Sequence, residues 1–134
     1  MDELPHWESG TAAVLAVAGP HAIPVSTAVR VAGDRVAFAL GRRRETLERL
    51  RADPSAAVCL FAPGLCFTAY GTVRVVREEM HSSARVAALE IQVERIQDHL
   101  AGARTEIEGP VGWRWTEVEA ERADAAVRAE LASL

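Results

Sequence analysis

Three consecutive arginines, Arg42-Arg43-Arg44, run into a segment of strong helix formers at residues 43–52, where Leu47 and Leu50 fall on one side. The spacing predicts a short helix that Asp53-Pro54 ends, because a residue ahead of proline is pushed out of helical geometry. Cations at a helix start oppose the macrodipole, at a cost of a few tenths to about 1 kcal/mol each. The same end offers free N–H groups to an anion, and guanidinium groups grip phosphate bidentately. A bound phosphate resolves the conflict. Solvated arginines paired as Arg44–Glu48 and Glu45–Arg49 are the alternative, though the anion is the favoured reading.

Other reactive side chains are scattered. His21 follows Gly19-Pro20, while His81 and His99 flank a later apolar segment. No arrangement of nucleophile, base and orienting group emerges, so no catalytic residue is named and any chemistry falls to a cofactor. Cys59 and Cys66 lie in apolar runs and read as two buried thiols, and no Cys/His cluster has metal-ligand spacing. Trp113 and Trp115 share a face if their segment is extended, which suits packing in the core, at a dimer seam or on a ligand.

With 134 residues, 49% of them hydrophobic and 25% charged, the chain reads as one domain over 1–134. The formal charge of −4 argues against general binding to nucleic acid or membrane surfaces. All 15 basic residues are arginine, so arginine can stand where other proteins carry lysine. The acidic, proline-broken start is unlike a signal peptide and leads us to expect a cytoplasmic protein.

The elements that must position these groups follow from periodicity. Residues 11–18 form a short apolar run ended by Gly19-Pro20, and residues 23–32 alternate with a period of two. Gly33-Asp34 is a two-residue hairpin turn into a strand over 35–40. After the short helix, strands are expected at 56–62 and 66–77, joined by Pro63-Gly64. Gly71 inside the second signals a bulge or a close approach. Val86, Leu89, Val93, Ile96 and Leu100 trace a helical stripe that predicts a long helix over 82–100. An aromatic strand is expected at 111–115. Thr116 then opens a capping-box pattern for a last helix whose apolar side runs from Ala120 through Val127 and Leu131 to Leu134. The sum is an α+β, barrel-like antiparallel domain with a short helix after the third strand and two longer C-terminal helices.

In this order the local words His21-Ala22-Ile23-Pro24-Val25-Ser26, Gly33-Asp34, Leu50-Arg51-Ala52-Asp53-Pro54 and Tyr70-Gly71-Thr72-Val73 carry a resemblance. From Thr11 to Val76 the chain resembles the pyridoxamine phosphate oxidase-like superfamily of flavin-binding split β-barrels. The resemblance implies FMN as cofactor, or less commonly a deazaflavin coenzyme or haem, and a homodimer that closes the site. It implies a flavin ring along Val25, Ser26 and Thr27, and a phosphate held between Gly41 and Thr46 by Arg42, Arg43, Arg44 and Thr46. Ser26 and Thr27 are either partners for the flavin's polar edge or ordinary strand residues. Relatives commonly place a Ser or Thr and a Lys two apart here; aligned on Leu50 and Asp53-Pro54, this chain has Arg44 and Thr46, and no lysine. The functional expectation is a flavin-dependent oxidoreductase acting on a small organic substrate. A non-catalytic flavin-, deazaflavin- or haem-binding member, or a barrel that has lost its ligand, are the other readings.

Overall fold

The hairpins read from alternation set the frame. In the computed structural model, which describes residues 1–102, 104–108 and 114–134, β1 (Ala13–Val17) pairs antiparallel with β2 (His21–Val25). Next, β3 (Val29–Ala32) turns at Gly33-Asp34 into β4 (Arg35–Gly41), as expected from the sequence. Helix α1 (Glu45–Ala52) follows and ends at Asp53, ahead of Pro54, with Leu47 and Leu50 buried. Then come β5 (Ser55–Ala62), β6 (Leu65–Arg77), β7 (Val86–Asp98) and α2 (Val118–Ala132). Pro63-Gly64 joins β5 to β6, and Gly64 supplies the positive φ of +72° that this turn demands.

Among the described residues, seven strands form one antiparallel sheet in the order β2-β1-β5-β6-β7-β4-β3. Strands β2 and β3 are therefore its two edges, yet only Ser26–Ala28 separate them in the chain. The sheet curls until its edges nearly meet, and it stays open there. Hydrogen bonds to distant residues hold the crossing. Trp7 Nε1 donates to the Ala28 carbonyl at 3.0 Å, and the Ala39 N–H donates to Thr27 Oγ1 at 3.1 Å. The single strand expected over 23–32 is thus two. Alternation persists through the crossing and hides the break, because Val25, Thr27 and Val29 are all buried.

A larger correction concerns residues 82–100, which form a strand and not a helix. One face of β7 supplies Leu89 and Ile91 to the barrel core with Leu15, Phe38, Leu60 and Phe67. Its other face, through Ala88, packs with Ala37, Met80 and Val29 beneath α2. Residues 89–94 do alternate apolar and polar, but the register shift that leaves Glu94 as an extra residue flips the parity. Ile96 therefore joins Val93 against the same core, and the three-and-four spacing imitates a helical stripe. The β-branched Val86, Ile91, Val93 and Ile96 suit the strand.

Gly71 behaves as expected. The β6–β7 register shifts between Tyr70 and Gly71, and a methyl group on Gly71 would collide with the Gln92 carbonyl. Cys59 and Cys66 are free thiols on neighbouring strands, half-buried where full burial was expected. Burial, with the nearby Cys59 and Asp98, pushes the Cys66 thiol up.

The last helix is present, with Val127 and Leu131 buried. Its start differs from the expected capping box: Glu117 is the N-cap, and no side chain caps it. Anchoring comes from the other end. Glu130 accepts from Arg77 at 2.6 Å and from the backbone N–H groups of His81 and Ser82 at 3.1 and 2.6 Å. Of the aromatic strand expected at 111–115, residues 111–113, Trp113 included, lie outside the described residues. Arg114 and Trp115 belong to no strand. No described helix is long and apolar enough to cross a membrane.

Candidate anion and cofactor site

The chain leaves β4 at Gly41 and turns at once into α1. The Arg42 N–H donates to the Arg85 carbonyl at 2.9 Å and the Arg44 N–H to the Gly41 carbonyl at 3.1 Å, closing a tight turn. Arg44 becomes the N-cap of α1, in extended geometry, and no side chain caps the first-turn N–H groups. Arginine cannot cap a helix start as Ser or Asp does, because it has no acceptor.

A cavity of about 890 Å³ opens at this turn, lined by Arg42, Arg43, Arg44, Arg51, Arg85 and Glu78. Five guanidinium groups thus face one carboxylate. Arg51 grips Glu78 with both terminal nitrogens, at 3.2 and 2.5 Å. That hydrogen bonding, together with the charges of Arg51 and Arg42, holds the Glu78 carboxyl below its ordinary range. Arg42 donates to the Ala84 carbonyl at 3.2 Å and pairs with Glu79 at 3.4 Å.

The side chains of Arg43, Arg44 and Arg85 have no hydrogen bond or ion pair among the described residues. Of the two ion pairs that could have neutralised the triplet locally, Glu45–Arg49 forms at 3.2 Å and Arg44–Glu48 does not. Three unpaired guanidiniums at an uncapped helix start have the composition of an anion site.

The remaining expected site residues lie elsewhere. Thr46 is 1% exposed and points away from the cavity lining, its hydroxyl bonded to His21 Nε2 at 3.0 Å. It fixes the first turn of α1 against β2. Val25 is a core residue. Thr27 accepts from the Ala39 N–H at 3.1 Å and donates to the Ala39 carbonyl at 3.4 Å. The Ser26 hydroxyl donates to Asp124 of α2 at 2.7 Å, and Asp124 also holds Arg128 at 2.8 Å. The crossing and the arginine turn share β4: Thr27 is bonded to Ala39, and Arg42 lies three residues on, roughly 10 Å along an extended strand.

Two cavity residues escape sequence reasoning. Arg51 sits in the predicted short helix without any signal of its facing direction, and Arg85 sat in a segment read as helix.

No family model matches the sequence, and no curated protein matches it either. Solved structures do. A pyridoxamine 5'-phosphate oxidase-type protein from Lactobacillus delbrueckii superposes with a TM-score of 0.60 at 11% identity, over 72% of this chain and 95% of that one. The fold is the split barrel. A second protein of that description, from Listeria innocua, matches at 0.54 with 20% identity, over 66% of this chain and 88% of its own. An FAD-binding protein from Mesorhizobium loti matches at 0.53 with 12% identity, over 64% and 81%. At these identities the split barrel is what the structures share.

Proposed function

We propose that this split barrel binds FMN, with the phosphate in the arginine cavity, and serves as a flavin-dependent oxidoreductase on a small organic substrate. The observation that carries the reading is the set of unpaired Arg43, Arg44 and Arg85 at the uncapped start of α1. Arg42 joins them on the cavity wall. Thr46 contributes indirectly, by tying that turn to His21.

The crossing at Val25, Ser26 and Thr27 is the segment for the ring, since its distance from Arg42 along β4 is one that a five-carbon ribityl chain can span. Bound flavin supplies hydride transfer; the chain's residues hold its phosphate, position its ring and exclude water. From the edge position of that crossing we further propose a homodimer whose second subunit closes the ring site.

The commitment of the Ser26 and Thr27 hydroxyls inside the chain favours a second reading. In it the protein holds a flavin, a deazaflavin or haem without turnover, chiefly through the anionic group. Titration of the purified protein with FMN, followed by flavin fluorescence and the visible spectrum, tests both. Saturable micromolar binding supports either reading, and turnover of a reduced nicotinamide by the complex selects the first. A protein that binds neither FMN nor a deazaflavin at micromolar concentration ends the first reading, and failure to bind haem as well, with no Soret band on titration, ends the second.

A further inference from the structure

A second cavity, of about 360 Å³, adjoins the arginine cavity and shares one residue with it. Its walls are Leu50 of α1, Pro54, Val73 and Val75 of β6, and Leu89 of β7. Arg51 completes the lining and also lines the arginine cavity. Leu50, Val73 and Leu89 are core residues, so the groove is a notch where the apolar interior of the barrel reaches the surface beside α1.

We infer that the two cavities form one site for an amphipathic anion, with a compact apolar group in the notch and a phosphate or carboxylate at the arginines. Apolar walls meeting a cluster of unpaired guanidiniums match a ligand with one charged end and one greasy end. Arg51 stands at the boundary. Its guanidinium is bonded to Glu78, a residue of the arginine cavity, and the residue also lines the notch, as a long cationic side chain with an apolar stem can. A ligand anion arriving there competes with Glu78 for Arg51. The inference rests on the arginine cavity taking an anion and does not require that the anion be a flavin.

A homologous series of alkyl phosphates, from ethyl to octyl, with inorganic phosphate as reference, tests this by calorimetry on the intact protein. Affinity should rise about threefold to fourfold for each added methylene until the notch is filled, then level off. Val75→Ser, at the partly buried edge of the notch, should flatten that dependence and leave inorganic phosphate binding unchanged. Arg51→Gln should weaken every member about tenfold. In the wild-type protein, methyl resonances of Leu50, Val73 and Val75 should shift with octyl phosphate and stay still with inorganic phosphate, a readout independent of any variant's folding. Affinity that does not depend on chain length, or no binding by any member, overturns the inference. FMN titrated in parallel separates the outcomes: loss of FMN binding alone removes the flavin reading and leaves the amphipathic site standing.

Discussion

Replacing Glu130 by Gln should loosen α2 from the barrel in a pH-dependent way. Burial alone would raise the Glu130 pKa, but hydrogen bonds from Ser82, Arg77 and His81 outweigh it and lower the group from 4.5 to about 2. A drop of that size corresponds to at most about 3 kcal/mol. The Glu130 side chain is only 9% exposed, and because glutamine keeps one acceptor oxygen for the same donors the substitution should cost less than that, about 1–2 kcal/mol. Because the folded pKa is the lower one, this stability is complete above the unfolded value of 4.5 and is lost as pH falls from there toward 2. Glu130→Gln removes the charge and with it the titration. Melting followed by circular dichroism at pH 7 should show the variant about 3–8 °C below wild type, for a domain of this length. Near pH 3 more than half of that gap should have closed, since wild type has lost most of the same contribution. A gap that stays constant from pH 7 to pH 3 would refute the assignment, as would no gap at pH 7.

Other substitutions probe other parts of the molecule. Leu131→Ala, at a fully buried position under α2, should cost about 2–5 kcal/mol in urea unfolding without abolishing the barrel's strand signal. Gly71→Ala should cost about 1–3 kcal/mol, because the new methyl meets the Gln92 carbonyl across the β6–β7 bulge; a neutral effect would mean the strands part easily there. Wild-type protein should melt several degrees higher in phosphate than in chloride at equal ionic strength, and Arg43→Ala/Arg44→Ala should abolish the difference. Labelling with a neutral thiol reagent at pH 7 should be slow at Cys66, whose thiol is pushed up by burial, and should accelerate as pH rises.

The hairpins, the short helix and the last helix were legible because one face of each is apolar and the other polar, so the period announces the element. The β3–β4 hairpin at Gly33-Asp34 and the α1 stop at Asp53-Pro54 are instances. Strand β7 was illegible because its period is interrupted. Its alternation over 89–94 is short, Ala87 and Ala88 are buried on opposite faces ahead of it, and the extra residue Glu94 shifts the parity behind it, so the apolar positions fall into three-and-four spacing. The break at Ser26–Ala28 was hidden because alternation continues through a crossing stabilised by distant partners, Trp7 and Ala39. In the site, the arginine triplet was visible as an electrostatic conflict at a helix start. Arg85 was not, since its approach depends on where β7 begins, and Ser26's engagement by Asp124 depends on the packing of α2.

The central claim, that the arginine cavity holds a flavin phosphate, is tested most directly by comparing FMN with riboflavin, which differs only in lacking that phosphate. Fluorescence titration should show FMN binding at least about 100-fold more tightly, given roughly 1.5–3 kcal/mol for each charge-assisted hydrogen bond. Arg43→Ala/Arg44→Ala should bring the two affinities together by weakening FMN alone. Equal affinity of wild-type protein for FMN and riboflavin, or a preference for FMN that survives the double substitution, would contradict the claim.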